Sequence, residues 1–512
     1  MPPVNRLTAD RLQLEREVIM KKHLKMLAFD YGASSGRAIL GVFDGGKLVL
    51  EEKYRFPNTP VMLHNSFYWD ILRLFHEMKQ GILKTSAEEG KTLRSIAVDT
   101  WGVDYGLLDK DGELLGNPFH YRDRRTDGMV ESAGAILPQR EIYERTGIQI
   151  QKFNTLYQLL ALQKRRPELL ERAERLLFIP DLFNYLLTGV SANEATIAST
   201  SQMIDPHSGT WDSGLLARFD IPGRLFSRPV KPGAVLGNTG PWIGAELNLE
   251  SIPVVAAAGH DTADAVFSVP ASRDDFAYLS SGTWSLLGIE SARPLINDQT
   301  YKFNYTNEGG VFDTFRVLAN IMGLWIYQEC KRVWDVEPEA LNFDELDQLA
   351  AAAPEFGALI NPDDGRFYAP GHMPQKIVEF CRMTGQNDPA GKGGIVRCVM
   401  ESLALKYRMA VEGLERIAGR ELPVLHIVGG GCKNKVLCQL TADATGKPVL
   451  AGPVEATAIG NLLCQLIAHG EVRNLREARA LAARSFPVAE YVPTASRAKW
   501  DEAYQRFSAL TK

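Results

Sequence analysis

Along this chain the hydrophobic and polar positions switch between two periods. Short apolar runs of strand type alternate with longer stretches whose apolar residues recur at helical spacing. Lys25–Phe29 reads as a strand, and Arg37–Phe43 and Lys47–Leu50 as two more across the tight turn Asp44-Gly45-Gly46. Trp69–Thr85 carries Ile71, Leu72, Leu74, Phe75, Met78, Ile82 and Leu83 at helical spacing. Leu93–Val98 is a buried-type strand that ends in Asp99-Thr100-Trp101-Gly102-Val103-Asp104. Tyr105–Leu108 and Glu113–Leu115 predict a hairpin, Asn154–Arg165 and Pro167–Leu176 predict helices, and Ile252–Ala257 is a strand running into Gly259-His260-Asp261-Thr262. This alternation predicts an α/β protein with its chemistry at strand ends.

Between the first two strands lies Gly32-Ala33-Ser34-Ser35-Gly36, which fits the G-x-S-x-G pattern of a serine-hydrolase elbow. An elbow is a strand-to-helix turn. Here a strand follows, so the elbow reading loses most of its force. What remains is a hairpin with a small polar turn, whose backbone N–H groups suit an oxyanion such as phosphate. Phe276–Ile289 repeats the form: strand, the turn around Ser281-Gly282-Thr283, strand. Two similar hairpins suggest two related domains, with a boundary near Val269–Asp275. The expected division is an N-terminal extension, 1–25, a first domain, 26–270, a second, 271–475, and a C-terminal tail and helix, 476–512.

Composition narrows the classes. The 512 residues are 45% hydrophobic and 23% charged, as in ordinary globular proteins, and are too many for one core. A net charge of -5 recommends neither nucleic acid nor an anionic membrane as partner. No apolar run approaches a membrane span, and the first 25 residues do not read as a signal peptide. The six cysteines form no C-x-x-C, so reduced thiols in a cytoplasmic protein are expected.

Each motif has a sharp and a bland reading. Leu425–Val428 leads into Gly429-Gly430-Gly431 and a helix expected over Cys432–Ala444. The glycines let a ligand lie against the backbone, or form a plain tight turn. No G-x-x-x-x-G-K-[ST] occurs, which excludes a P-loop enzyme. Asp261 at a strand end can take a proton from a hydroxyl, or can cap a helix. Asp30 can bind Mg²⁺ through water, or shape its turn. Asp99 and Asp104 around Trp101 suit a polyol or a structural turn. His120–Thr126 is a solvated charge run or a polar substrate wall, and Asn320–Trp325 opens an amphipathic helix. As a set, two phosphate-type hairpins, a glycine platform and a strand-end Asp fit phosphoryl transfer from a nucleotide to an alcohol.

The stretches DYGASSGRAIL, VDTWGVDYGLLD, YRDRRTDGM, FNTLYQL, HDTADAV, YLSSGTWSLLG, TNEGG, NIMGLW, LHIVGGGC and GPVEATAIGN run in order from residue 30 to about 461. On them the chain resembles the FGGY carbohydrate kinases, and within these the branch that phosphorylates L-rhamnulose. ASSGR, DTWGVD and NIMGLW carry the branch, while HDT and SGTWS are shared more widely. The resemblance implies two actin-like (ribonuclease H-like) ATPase domains flanking a catalytic cleft. It implies a first phosphate loop of Ala33, Ser34, Ser35, Gly36 and Arg37, with Asp30 placing Mg²⁺. A second loop, Ser281 to Ser285, would touch ATP through Thr283. Gly429, Gly430 and Gly431 would hold the adenosine end, with Gln328 nearby. Gly102, His260, Thr262 and Asn320 would contact the sugar, and Asp261 would be the general base at the ketose 1-hydroxyl, giving a 1-phosphate and ADP. The N-terminal extension has no counterpart in the family, and Tyr31 is bulkier or more polar than the usual neighbour of the first Asp.

The expected partner is a small sugar, with no nucleic acid and no membrane, for a monomer or homodimer. Other readings are a kinase for a different deoxyketose such as L-fuculose, a non-kinase actin-like ATPase, a silent sugar sensor and a serine hydrolase. An actin-like ATPase would need neither Asp261 nor the Trp101-Gly102 wall, and a sensor would not need Asp30 with Asp261.

Overall fold

In a computed structural model, which describes residues 23–32, 34–90, 92–337 and 340–511, the first strand is buried on both faces. Strand β1 (Leu24–Tyr31) has every residue from Met26 to Tyr31 buried, as a central strand covered on both sides requires. It pairs antiparallel with β2 (Ser35–Phe43), which pairs antiparallel with β3 (Leu48–Pro57). β3, the sheet edge, is mostly exposed or half-buried and buries only Leu48 and Phe56. On its other side β1 runs parallel to β4 (Leu93–Thr100). With β5 (Val235–Asn238) and β6 (Pro253–His260), the sheet order is β5-β6-β4-β1-β2-β3. Helix α1 (Ile71–Glu89) buries Ile71, Leu74, Met78, Ile82 and Thr85, one face at helical spacing. Asp70 caps its N-terminus by accepting from the Arg73 N–H at 3.3 Å.

The chain divides into two units. The first comprises 1–270, 308–313 and 457–485, and the second 271–307, 314–456 and 486–512. The junction at Pro270/Ala271 falls inside the expected boundary stretch. The expected 271–475 and 476–512 segments differ from this division, because residues 308–313 and 457–485 pack with the first unit and 486–512 with the second. Hydrophobic pattern along the chain gives the elements but not which unit each returns to. The expected extension lies almost wholly outside the described residues, its last residues Leu24 and Lys25 opening β1.

In the second unit, β7 (Ala277–Ser281), β8 (Trp284–Ser291), β9 (Phe315–Met322), β10 (Leu425–Val428), β11 (Val449–Ala451) and β12 (Ala489–Tyr491) follow one another as β9-β8-β7-β10-β11-β12 within a seven-stranded sheet. β7 is antiparallel to β8 and parallel to β10, and β10 is parallel to β11.

Three local expectations need correction. The second half of Pro167–Leu176 is not helical: the helix ends at Arg172, and Arg175–Phe178 is a strand paired with Tyr105–Leu108. The apolar run Leu176-Leu177-Phe178 is fully buried there, and tertiary pairing overrides helix propensity. On its other side Tyr105–Leu108 keeps the expected hairpin, through the Leu108–Leu114 bridge, the Leu115 N–H to the Leu107 carbonyl at 2.9 Å and the Asp109 N–H to the Glu113 carbonyl at 3.0 Å. Asn320 opens no helix but lies in β9 opposite Leu286, and the helix starts at Trp325. The helix after the glycines starts at Lys435, where the Asn434 side chain accepts from the Leu437 N–H at 2.7 Å.

Candidate active site

The opening turn settles the elbow question. Ser34 is an exposed turn residue and Ser35 begins β2, so no helix follows. The turn is fastened by Gly32 N–H to the Ser35 carbonyl at 3.0 Å, and by Asn58, whose amide donates to the Gly32 carbonyl at 2.8 Å. Ala33 lies outside the described residues. Asp30 and Arg37 face each other across the hairpin register and form an ion pair. Asp30 is also in register with Asp99 on β4.

Around these strand ends the first unit gathers carboxyl groups. Asp99 is fully buried and accepts from Asn461 at 2.8 Å, while its Oδ1 makes no hydrogen bond. Burial, then Asp30 and Asp264, push its carboxyl well above the usual range. Asp264 is equally buried and is pushed up by burial, opposed by the Cys464 thiol 3.5 Å away. The strand ends thus gather Asp30, Asp99, Asp261 and Asp264, and burial with their mutual repulsion favours the protonated form of Asp99 and Asp264.

Asp261 follows β6 as the first residue of α2 (Asp261–Phe267), and its side chain is 32% exposed. Burial raises it above the ordinary carboxylate value, against the opposing pull of His260 and of the Thr262 hydroxyl. Thr262 donates to Asp261 Oδ1 at 3.0 Å, and His260 Nε2 lies 3.5 Å from the same oxygen. His260 Nδ1 in turn lies 3.1 Å from Glu308. The backbone is aimed by Glu194, which caps the helix Ala195–Ser199 and accepts from the Gly259 N–H at 2.9 Å. Gly102 closes on the same group: a methyl there would lie 3.3 Å from His260 Nε2 and 3.4 Å from Thr200. The first unit thus brings together Asp30, Arg37, Gly102, His260, Asp261 and Thr262.

Asp104 does not face a polyol. It is fully buried, and its Oδ2 accepts from Trp69 at 2.7 Å, Trp101 at 3.0 Å and the Tyr121 N–H at 3.0 Å. Burial lifts its carboxyl to about 6 in spite of these donors. Its work is to lock two indoles whose centroids are 4.0 Å apart. The 120–126 run is likewise no solvated face, since His120, Asp123, Arg125 and Thr126 are buried. Burial, with Arg122 and Arg125, pushes His120 down to about 3, so the ring stacked on Trp69 is neutral.

In the second unit, the β7–β8 turn is closed by Gly282 N–H to the Trp284 carbonyl at 2.9 Å. The start of α3 (Trp325–Trp334) is tied to it, with Leu324 and Trp325 N–H groups donating to the Gly282 and Thr283 carbonyls, each at 3.1 Å. Thr283 reaches Gln328 at 3.4 Å. Gly429 adopts φ +85, and a methyl on Gly431 would lie 1.9 Å from Ser281 Oγ, so the glycine turn presses against the hairpin. Thr283, Gln328 and the glycine turn are thus neighbours, while Asn320 lies along β9 opposite Leu286.

Sequence reasoning passed over Glu308, Glu194, Asp264 and Asn461. Glu308 stands in TNEGG and Asn461 in GPVEATAIGN, stretches that carry the resemblance without showing a role.

Residues 25–268 match the N-terminal domain, and residues 277–469 the C-terminal domain, of the FGGY family of carbohydrate kinases. A rhamnulokinase of Bacteroides thetaiotaomicron is 45% identical over 480 residues, 94% of this chain and 98% of that protein. One of Pectobacterium atrosepticum is 45% identical over 491 residues, covering 95% and 96%. The solved xylulose kinase of Rhodospirillum rubrum superposes with a TM-score of 0.77 at 21% identity, over 95% of this chain and 98% of that one, and shares the fold. The chain belongs to the FGGY family of carbohydrate kinases, two-domain α/β enzymes that phosphorylate sugars. Among the described residues, no helix is long and apolar enough to cross a membrane.

Proposed function

We propose that this enzyme transfers the γ-phosphoryl group of ATP to the 1-hydroxyl of L-rhamnulose, giving L-rhamnulose 1-phosphate and ADP, in the cytoplasm and in L-rhamnose breakdown. The observation that carries the mechanism is Asp261: a partly exposed carboxylate at the end of β6, flanked by His260 and Thr262. The choice of sugar is supported by relatives named rhamnulokinase at 45% identity over nearly the whole chain. Asp261 takes the proton of the 1-hydroxyl as its oxygen bonds to the γ-phosphorus and the bond to the β-phosphate oxygen breaks. His260, Thr262, Gly102 and Asn320 hold the sugar hydroxyls. The backbone of 33–37 and of 281–285 cradles the phosphates, with Arg37 and Thr283 beside them. Gly429, Gly430 and Gly431 take the adenosine end with Gln328.

The first-unit residues fit Mg²⁺. Asp30 stands beside Asp99, whose buried Oδ1 makes no hydrogen bond. No group among the described residues could ligate a metal by three side chains, so Asp30 would hold the ion through water. Bound there, the ion would neutralise charge on the β- and γ-phosphates.

The test is coupled ADP release with Mg²⁺-ATP and either L-rhamnulose, L-fuculose or no sugar. Turnover many-fold faster with L-rhamnulose than with the other two is expected. Fast turnover with L-fuculose alone would keep the mechanism and move the specificity. ATP hydrolysis indifferent to every sugar would remove the reading.

A further inference from the structure

The first unit holds a cavity of about 410 Å³, a volume in the range of metabolite sites. Its wall includes Leu115, Phe119 and Leu162, together with Asp70, Arg125 and Arg166. None of Gly102, His260, Asp261 or Thr262 lines it. Side chains along 119–121 diverge: Phe119 faces the cavity, whereas His120 stacks on Trp69.

Arg125 is the unusual member. It is only 5% exposed, and its guanidinium lies 4.2 Å over the Phe119 ring. Nη2 donates to Gln158 at 2.5 Å, Nη1 pairs with Asp123 at 3.7 Å and the Tyr105 hydroxyl adjoins the guanidinium, but Nε and Nη1 make no hydrogen bond of normal length. A buried guanidinium with idle donors is costly, and an oxyanion would satisfy it. Arg166 adds a second cation at the wall, held only by an exposed pair with Glu168. Asp70 uses one oxygen to cap α1 and keeps capacity to accept from hydroxyls.

We propose that this cavity is a second small-molecule site, for a hydroxylated oxyanion such as a polyol phosphate or a sugar acid. Arg125 and Arg166 take the anion, Asp70 takes hydroxyls, and the leucines and Phe119 take the carbon chain. The site reports to the sugar side of the enzyme. Arg125 holds Gln158, Gln158 donates to Asp104 at 2.9 Å, and Asp104 holds Trp101, the neighbour of Gly102. Occupancy therefore changes the KM for sugar and leaves the KM for ATP.

The experiment is calorimetric titration of glycerol 3-phosphate, glycerate and inorganic phosphate into the full-length, ADP-saturated protein. It is run on the wild type, Leu115→Trp, Arg166→Ala and Asp70→Asn, the last of which keeps the helix cap. Glycerol 3-phosphate or glycerate, whichever source fits, binds the wild type at one equivalent and Leu115→Trp and Arg166→Ala at least ~10-fold more weakly. Asp70→Asn weakens the hydroxylated probes and spares inorganic phosphate. In wild type, but not in Leu115→Trp, the bound probe shifts the KM for sugar. Equal binding to the wild type and Leu115→Trp, or no binding of either hydroxylated probe, overturns the proposal.

Discussion

The two units share a strand order and differ in what stands at the strand ends. Each has an antiparallel meander of three strands whose inner member runs parallel to two more, β3-β2-β1-β4-β6 in one and β9-β8-β7-β10-β11 in the other. Each closes with an antiparallel edge strand, β5 or β12. At the end of β1 stands Asp30, and at the end of β7 Ser281. Asp99 stands at the end of β4 with Trp101-Gly102 just after it, and three glycines follow β10. The first unit therefore offers charge and a proton acceptor, the second a neutral cradle of hydroxyls and backbone. One topology supports both because its strand ends tolerate any side chain that the turn geometry admits.

The largest test of that contrast is Asp261→Asn. If proton transfer belongs to the first unit, kcat falls by about 10²–10⁴-fold in a protein that still binds ATP, the range a general base contributes. The wild type also carries a pH signature. Burial raises Asp261, so the carboxylate that accepts the proton persists only above a value higher than an ordinary Asp. Activity in kcat/KM should drop on the acid side, starting at a pH above the usual carboxylate range. Asp261→Asn should flatten that limb of the profile in whatever activity it retains. A full-rate Asp261→Asn would move the base elsewhere.

Next in size is Gly431→Ala, which attacks the second unit alone. Its methyl would fall 1.9 Å from Ser281 Oγ and must displace the hairpin or the glycine turn. The KM for ATP should rise by about tenfold or more, corresponding to ~1.4 kcal/mol, with the KM for sugar little changed. Gly102→Ala is the mirror test. Its methyl meets His260 at 3.3 Å, close enough to shift the ring by a few tenths of an ångström. The KM for sugar should rise by roughly threefold to tenfold with ATP unaffected, since small displacements at a positioning group are felt in rate and binding. Steady-state kinetics with each substrate varied separates the two. If both variants change the same KM, the division of labour between the units is wrong.

Much of this was legible because local pattern and global fold agree. The two hairpins and the strand entering His260-Asp261 could be read from short apolar runs punctuated by glycine. The family's order of motifs placed Asp30, Asp261, Thr283 and the glycine turn. What stayed hidden depends on long-range return of the chain. Asn461 reaches Asp99, and Glu308 reaches His260, across separations that no periodicity encodes. Asp104 stays open between a polyol site and a structural turn for a related reason. An acidic residue beside a tryptophan looks like a sugar site until Trp69, far back in the chain, is seen to share its oxygen with Trp101. Asn320 and Leu176 were assigned the wrong element because β-pairing partners, not local spacing, decide their conformation.

The smallest expected effect concerns the carboxyl cluster that makes the first unit differ from the second. Asp264 is fully buried, one oxygen makes no hydrogen bond, and burial holds its carboxyl well above the usual range. A folded-state value raised above the unfolded one means that the folded chain binds the extra proton. The stability from that proton is fully present below the ordinary Asp value, and is lost as pH rises toward and through the raised one. Asp264→Asn removes the titration while keeping the side chain's size. Relative to the wild type its melting temperature should therefore improve as pH rises, with the difference greater at about pH 8 than at about pH 5. Thermal melts across that range, followed by a tryptophan signal from the first unit, measure it. A pH-independent offset between the two proteins would mean that Asp264 binds no extra proton in the folded chain and is ionised there as it is when unfolded.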